Sequence, residues 1–131
     1  RRNQAMFGPP GHAYIYMIHT HWCLNVVTQP EGTAEAVLIR AVEPLEGIEL
    51  MLASRSVHSI RNLCSGPGKL TKAMRIDSRY NNADLTNGDL RIVEGVEITN
   101  LAQKARIGVT NGADKLWRFY SANDIDWVSK K

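Results

Sequence analysis

Tyr14, Tyr16, Trp22 and Asn25 flank a polar break, His19-Thr20-His21, in an otherwise apolar and β-branched run. Flat rings stack on nucleobases, and an amide or imidazole can meet their polar edges, so the stretch suits a ring-stacking or base-handling site. His19 and His21 form a His-x-His pair, which on a strand can put both imidazoles on one face and bind zinc. The other two histidines, His12 and His58, stand at no ligand spacing. No metal site is expected, and the plain alternative is a pair of surface histidines on a hairpin.

A second set is Ser65-Gly66-Pro67-Gly68-Lys69-Leu70-Thr71-Lys72. A glycine-rich turn that opens a helix presents unpaired N–H groups and the positive end of the helix dipole to an anion. Lys69 and Lys72 add charge. A nucleotide P-loop is excluded, since it needs glycine where Leu63 stands and a hydroxyl where Leu70 stands. A DNA backbone phosphate fits better, against the alternative of an ordinary Gly-Pro turn and helix cap. Arg55, Arg61, Lys69, Lys72, Arg75 and Arg79 could line one side of the molecule and position a duplex, or be solvated surface charges. Arg40 interrupts an apolar segment. A buried guanidinium must be paired, so it either meets Glu43 or Glu46 or belongs to a site. There is no Ser-His-Asp set with an elbow motif, no dinucleotide fingerprint and no convincing metal cluster.

The elements that must carry these groups follow from periodicity. His12 to Ile18 and Trp22 to Thr28 read as two strands joined by the polar tip. Period-two alternation puts Tyr14, Tyr16 and Ile18 on one face. Cys23, Asn25 and Val27 share one face of the second strand. Ala36 to Val42 reads as a strand buried on both faces. Pro44 should end it and sit in the first turn of a helix running from Leu45 to about Arg55. A second helix is expected from Pro67 or Lys69 to Met74, and a loop from Asp77 to Asp89. Further strands are expected at Leu90 to Val93, Ala105 to Val109, Trp117 to Tyr120 and Asp126 to Ser129, with Asn111-Gly112 as a hairpin turn. Together these give an α+β fold, a single domain spanning residues 1–131.

The totals agree. A chain of 131 residues buries a core without disulfides. Its net charge of +3 permits nucleic-acid binding without demanding it. No run approaches the ~18 apolar residues of a membrane helix. Cys23 and Cys64 form no CxxC and read as free thiols of an intracellular protein. The opening Arg1-Arg2-Asn3 has no initiator Met, as expected of the middle of a longer polypeptide.

Several segments, in order and spacing, resemble the alkyladenine (3-methyladenine) DNA glycosylase family. They are Arg2-Asn3-Gln4-Ala5-Met6-Phe7-Gly8-Pro9-Pro10-Gly11 running into Tyr14 and Tyr16, Cys23-Leu24-Asn25, and Leu38-Ile39-Arg40-Ala41 with Glu43-Pro44 and Glu46-Gly47. Cys64 to Leu70, Ala105-Arg106-Ile107-Gly108-Val109 and Trp117-Arg118-Phe119-Tyr120 complete the set. The resemblance covers nearly the whole chain.

It implies a mostly antiparallel, curved sheet and a monofunctional base-excision repair enzyme that flips an alkylated purine, of 3-methyladenine type or hypoxanthine, out of duplex DNA. A water then hydrolyses the N-glycosidic bond. Tyr16 matches the stacking tyrosine and Asn25 the amide that disfavours guanine. Arg40 and the backbone carbonyl of Ile107 match the positions that hold the water. His19 takes the place of the wedge that fills the vacated stack, with His21 as the alternative. Tyr16 and His19 have opposite parity on a straight strand, so the strand is expected to bend or bulge near Ile18. Arg2, Ser65, Gly68, Lys69 and Lys72 are the expected DNA contacts. The family's general-base glutamate belongs to a motif upstream of Arg1, so these residues alone are expected to be inactive. The resemblance further implies double-stranded DNA as partner, no cofactor, a monomer, and a bacterial cytoplasm or nucleoid location. Two alternatives are a non-catalytic DNA-binding remnant of the family and a formyltransferase-type barrel domain that binds RNA.

Overall fold

The computed structural model describes residues 2–129. Its first sheet grows from the expected hairpin. Strand β1 (Ala13–Ile18) pairs antiparallel with β2 (His21–Val27), and β2 pairs antiparallel with β3 (Ala36–Leu38). The β1–β2 register runs without a break from Ala13 opposite Val26 to Ile18 opposite His21. The tip is therefore His19 and Thr20 alone, both with positive φ, 46° and 68°. Two left-handed residues make the mirror-image turn whose twist matches that of the strands. No bulge forms near Ile18, contrary to expectation. His19 leaves the strand alternation because it lies in the turn.

One face of the hairpin carries Ala13, Ile15 and Leu24, which bury against Ile76 and Leu85. The other face carries Tyr14 and Val27, which bury with Ala5. This alternation gives the sheet a core side and a working side.

The apolar segment after Pro30 is a strand only over Ala36–Leu38, and Val37 is 53% exposed, so it is not buried on both faces. Beyond Leu38 the chain is held at two points: the Ile39 N–H donates to the Leu24 carbonyl and the Val42 N–H to the Cys64 carbonyl. Arg40 projects from between these anchors. Helix α1 (Ile48–Arg55) begins later than Pro44 suggests. Gly47, at φ 68°, turns the chain through a left-handed conformation just before the helix, which a residue with a Cβ adopts only at a cost.

Helix α2 (Pro67–Ala73) opens with Pro67 in its first turn, where the missing N–H costs nothing. It buries Leu70, Thr71 and Ala73. Leu70 and Ala73 join Leu63 and Cys64 in a core that Met51 and Leu52 of α1 complete. The Thr71 hydroxyl donates to the Trp22 carbonyl at 2.8 Å. β3 extends along β2 only from Val27 to Asn25, and α2 covers β2 beyond that point.

The last third differs most from the expected elements. Its paired strands are β4 (Leu101–Lys104) and β5 (Arg118–Ser121), antiparallel, with Lys104 opposite Arg118. Residues 90–93 and 105–109 form no strand, and the segment 126–129 follows a 3-10 turn at Ala122–Asp124 without pairing. Asn111-Gly112 lies inside the long β4–β5 connection rather than forming a two-residue hairpin. Apolar residues placed there by composition, such as Val93 and Val96, are exposed, and a strand needs a partner more than it needs β-branched residues. The molecule is α+β, with all its pairing antiparallel among the described residues.

Leu70 is 1% exposed at the centre of the α1–α2 core. Leu70→Ala should cost about 2–5 kcal/mol of unfolding free energy in urea titrations. A loss under about 1 kcal/mol would show that α2 is not seated as described.

Candidate active site

The working face of the hairpin and β5, with the connection that precedes it, border an open cleft of about 1120 Å³. Tyr16, His21, Cys23 and Asn25 enter it from β1 and β2, and Arg40 from the segment after β3. Gly68 enters it from the first turn of α2, Ile107 and Arg118 from the last third. Residues far apart in sequence thus meet because β2 lies between β1, β3 and α2.

Tyr16 is half-buried, and its ring packs near that of Tyr14, with centroids 5.3 Å apart. Burial pushes its phenol above the ordinary value, with the neighbouring Cys23 thiol adding to the effect. Burial also raises Cys23. Both groups therefore stay protonated at neutral pH and present an uncharged, electron-rich surface. Such a ring attracts cations: the Arg2 guanidinium lies 5.7 Å from the Tyr16 centroid. Arg2 also donates to the Met17 carbonyl.

Asn25 is buried, and its Nδ2 donates to the carbonyls of Tyr14 (3.1 Å) and Cys23 (3.4 Å). Its amide is pinned to backbone on two sides and cannot swing away from an incoming group. Arg40 meets neither Glu43 nor Glu46; its Nε donates to the Ser129 hydroxyl at 3.1 Å. Burial lowers its pKa first, and the nearby Arg118 lowers it further. The Ile107 carbonyl lies in the β4–β5 connection and accepts no hydrogen bond from the described residues.

The remaining candidates separate. His21 packs its imidazole on Gly68, where an added Cβ would stand 2.7 Å from the His21 Cγ. His19 is exposed at the turn. Lys69 is exposed, and its Nζ donates to the Asn62 side-chain oxygen at 2.7 Å and to the Ser65 hydroxyl at 3.4 Å. Ser65 and Lys69 border a smaller cavity with Arg61 and Asp126, which shares Val128 with the main cleft, and Lys72 is exposed outside both. Much of the basic series is engaged locally: Arg55 with the Asn62 carbonyl, Arg61 with Asp126, Arg75 with Ser54 and Arg79 with Asp77.

Among the described residues, no group of three or more His, Cys, Asp or Glu could hold a metal ion. No described helix is long and apolar enough to cross a membrane. Cys23 and Cys64 are both buried free thiols. Arg118 and Ser129 are contributors to the cleft that the sequence did not single out. The alternation of cation and ring in Trp117-Arg118-Phe119-Tyr120 was the available signal for Arg118. For Ser129 there was none.

Tyr16, the pinned Asn25 amide and the guanidinium groups of Arg40 and Arg118 thus border one cleft. Residues 1–125 match the methylpurine-DNA glycosylase family, and the chain belongs to that family. It is 47% identical to a protein of Carboxydothermus hydrogenoformans named "Putative 3-methyladenine DNA glycosylase", over 100% of this chain and 70% of the relative. Proteins of the same name from Rhodopseudomonas palustris and Salinibacter ruber are 47% and 46% identical, over 98% and 92% of this chain. The chain spans 63% and 60% of the length of those two relatives.

The Gly68–His21 contact is too tight to admit a methyl group. Gly68→Ala should cost about 1–3 kcal/mol in chemical unfolding as His21 or α2 is forced to move. A neutral substitution would show that His21 does not pack on the helix.

Proposed function

We propose that this chain carries the base-recognition part of a DNA glycosylase that removes alkylated purines from duplex DNA. The observation that carries the reading is the convergence of Tyr16, Asn25, Arg40 and Ile107 on one cleft. A purine turned out of the helix loses stacking and pairing worth a few kcal/mol. Stacking on an aromatic ring returns roughly 1–3 kcal/mol per base. Alkylation makes the base cationic, and the neutral face of Tyr16 favours a cation. Asn25, held by Tyr14 and Cys23, is the wall that an exocyclic amino group at the guanine position would strike.

In the proposed reaction a water, held by the Ile107 carbonyl and Arg40, attacks the anomeric carbon of the sugar. The bond from that carbon to the purine nitrogen breaks, and its electron pair neutralises the cationic base. A carboxylate takes the water's proton. Glu43 and Asp124 border the cleft, yet neither is paired with Arg40. We place the general base outside residues 2–129, in the glutamate motif that the resemblance implies. His19, at the strained tip, is the proposed wedge, and Lys69 and Lys72 contact backbone phosphates.

The decisive measurement is release of 3-methyladenine from a methylated duplex. Residues 1–131 alone should release none, and activity should appear when a segment bearing the glutamate motif is supplied. Release by residues 1–131 alone would refute the placement of the base. In the active protein, Asn25→Ser should raise excision of unmodified guanine relative to 3-methyladenine by about tenfold or more, a difference of about 1.4 kcal/mol. An unchanged ratio would remove Asn25 from discrimination.

A further inference from the structure

Two cations share one tether in the cleft. Ser129, 3% exposed, accepts from Arg40 Nε through its hydroxyl (3.1 Å) and from Arg118 Nη2 through its carbonyl (2.8 Å). Neither guanidinium takes part in an ion pair among the described residues, whose acidic partners are Asp77, Asp84 and Asp126. The other donor nitrogens of both arginines have no hydrogen-bond partner there. Arg118 is further fixed by the Tyr120 ring, 5.0 Å from its guanidinium carbon. Holding like charges together costs energy that an anion between them would recover, and the lowering of Arg40's pKa by Arg118 reports that repulsion.

We propose that Arg118, together with Arg40, forms a two-guanidinium site for a phosphodiester group of the nucleotide drawn into the cleft. The inference rests on the glycosylase reading. A nucleotide whose base stacks on Tyr16 brings its sugar and phosphate into the same cleft, where both arginines lie. A phosphate's tetrahedral oxygens accept from two planar forks at once, and arginine matches that geometry where lysine supplies only a point charge. Arg118 is then a binding residue of this site, and Ser129 a positioning residue that sets the spacing of the two forks.

The test follows thermal unfolding of the 131-residue chain in inorganic phosphate, acetate or chloride at matched ionic strength. Phosphate should raise the Tm in a saturable way, well beyond acetate and chloride. Arg118→Gln should abolish the phosphate-specific rise, Arg118→Lys should leave only part of it, and the exposed Arg91→Gln should leave it whole. An undiminished rise in Arg118→Gln, a full rise in Arg118→Lys, or acetate matching phosphate overturns the inference. A second arm measures binding of a duplex bearing a tetrahydrofuran abasic-site analogue against salt. Arg118→Gln should reduce the slope of log K on log salt by about one. An unchanged slope removes the DNA phosphate from the site. Duplex binding without a phosphate-specific rise overturns this inference and leaves the glycosylase reading standing. A phosphate-specific rise that depends on Arg118, with no duplex binding, overturns the glycosylase reading and leaves the anion site.

Discussion

The close approach of α2 to β2 is the constraint on which the rest of the cleft depends. Thr71 reaches the Trp22 carbonyl, and Gly68 leaves room for His21. The Thr71 hydroxyl also reaches the Gly68 carbonyl of its own helix at 3.1 Å, so it bridges helix and strand at the point of closest approach. Seated there, α2 and the loop before it supply the Cys64 carbonyl that anchors Val42. The Leu24 carbonyl of β2 anchors Ile39. The backbone on both sides of Arg40 is thereby fixed, and its side chain is then directed by the Ser129 hydroxyl. Arginine is among the most flexible residues, and a site that uses it must remove that freedom first.

The cleft divides its electrostatics. Burial keeps the Tyr16 phenol and the Cys23 thiol protonated, and the ring already holds one cation, the Arg2 guanidinium 5.7 Å from its centroid. Around Ser129 two full positive charges lie together. A ligand that is cationic at one end and anionic at the other meets both demands, and an alkylated purine nucleotide has that charge distribution.

The hairpin was legible from its residues. Alternation from Ala13 to Ile18 and from Trp22 to Val27 is strong, local, and confirmed by the partner strand one turn away. The cleft membership of Tyr16 and Asn25 follows from that alternation. The bulge expected near Ile18 is absent because strand parity does not run through the turn, where two left-handed residues reset it. The last third was least legible. Val93, Ile107 and Val109 have the residue types of strands, yet pairing falls on Leu101–Lys104, whose composition is less distinctive. Strand formation there is decided by a partner in space, information that a short apolar run does not contain. Arg118 and Ser129 were hidden for a related reason. They matter through a contact spanning 89 residues, Arg40 to Ser129, that no local pattern encodes.

The two-residue turn at His19 and Thr20 also has a mechanical meaning. A longer loop would let its tip move while the strands stayed still. Here the ladder is paired up to Ile18 and His21, so there is no slack to absorb a push. His19 is three residues from Tyr16, roughly 10 Å along the strand. With pairing continuous to the turn, His19 and the Tyr16 ring are held at a fixed separation along the hairpin. On the proposed reading, in which His19 is the wedge, that fixed separation would couple insertion at the tip to the ring that receives the base.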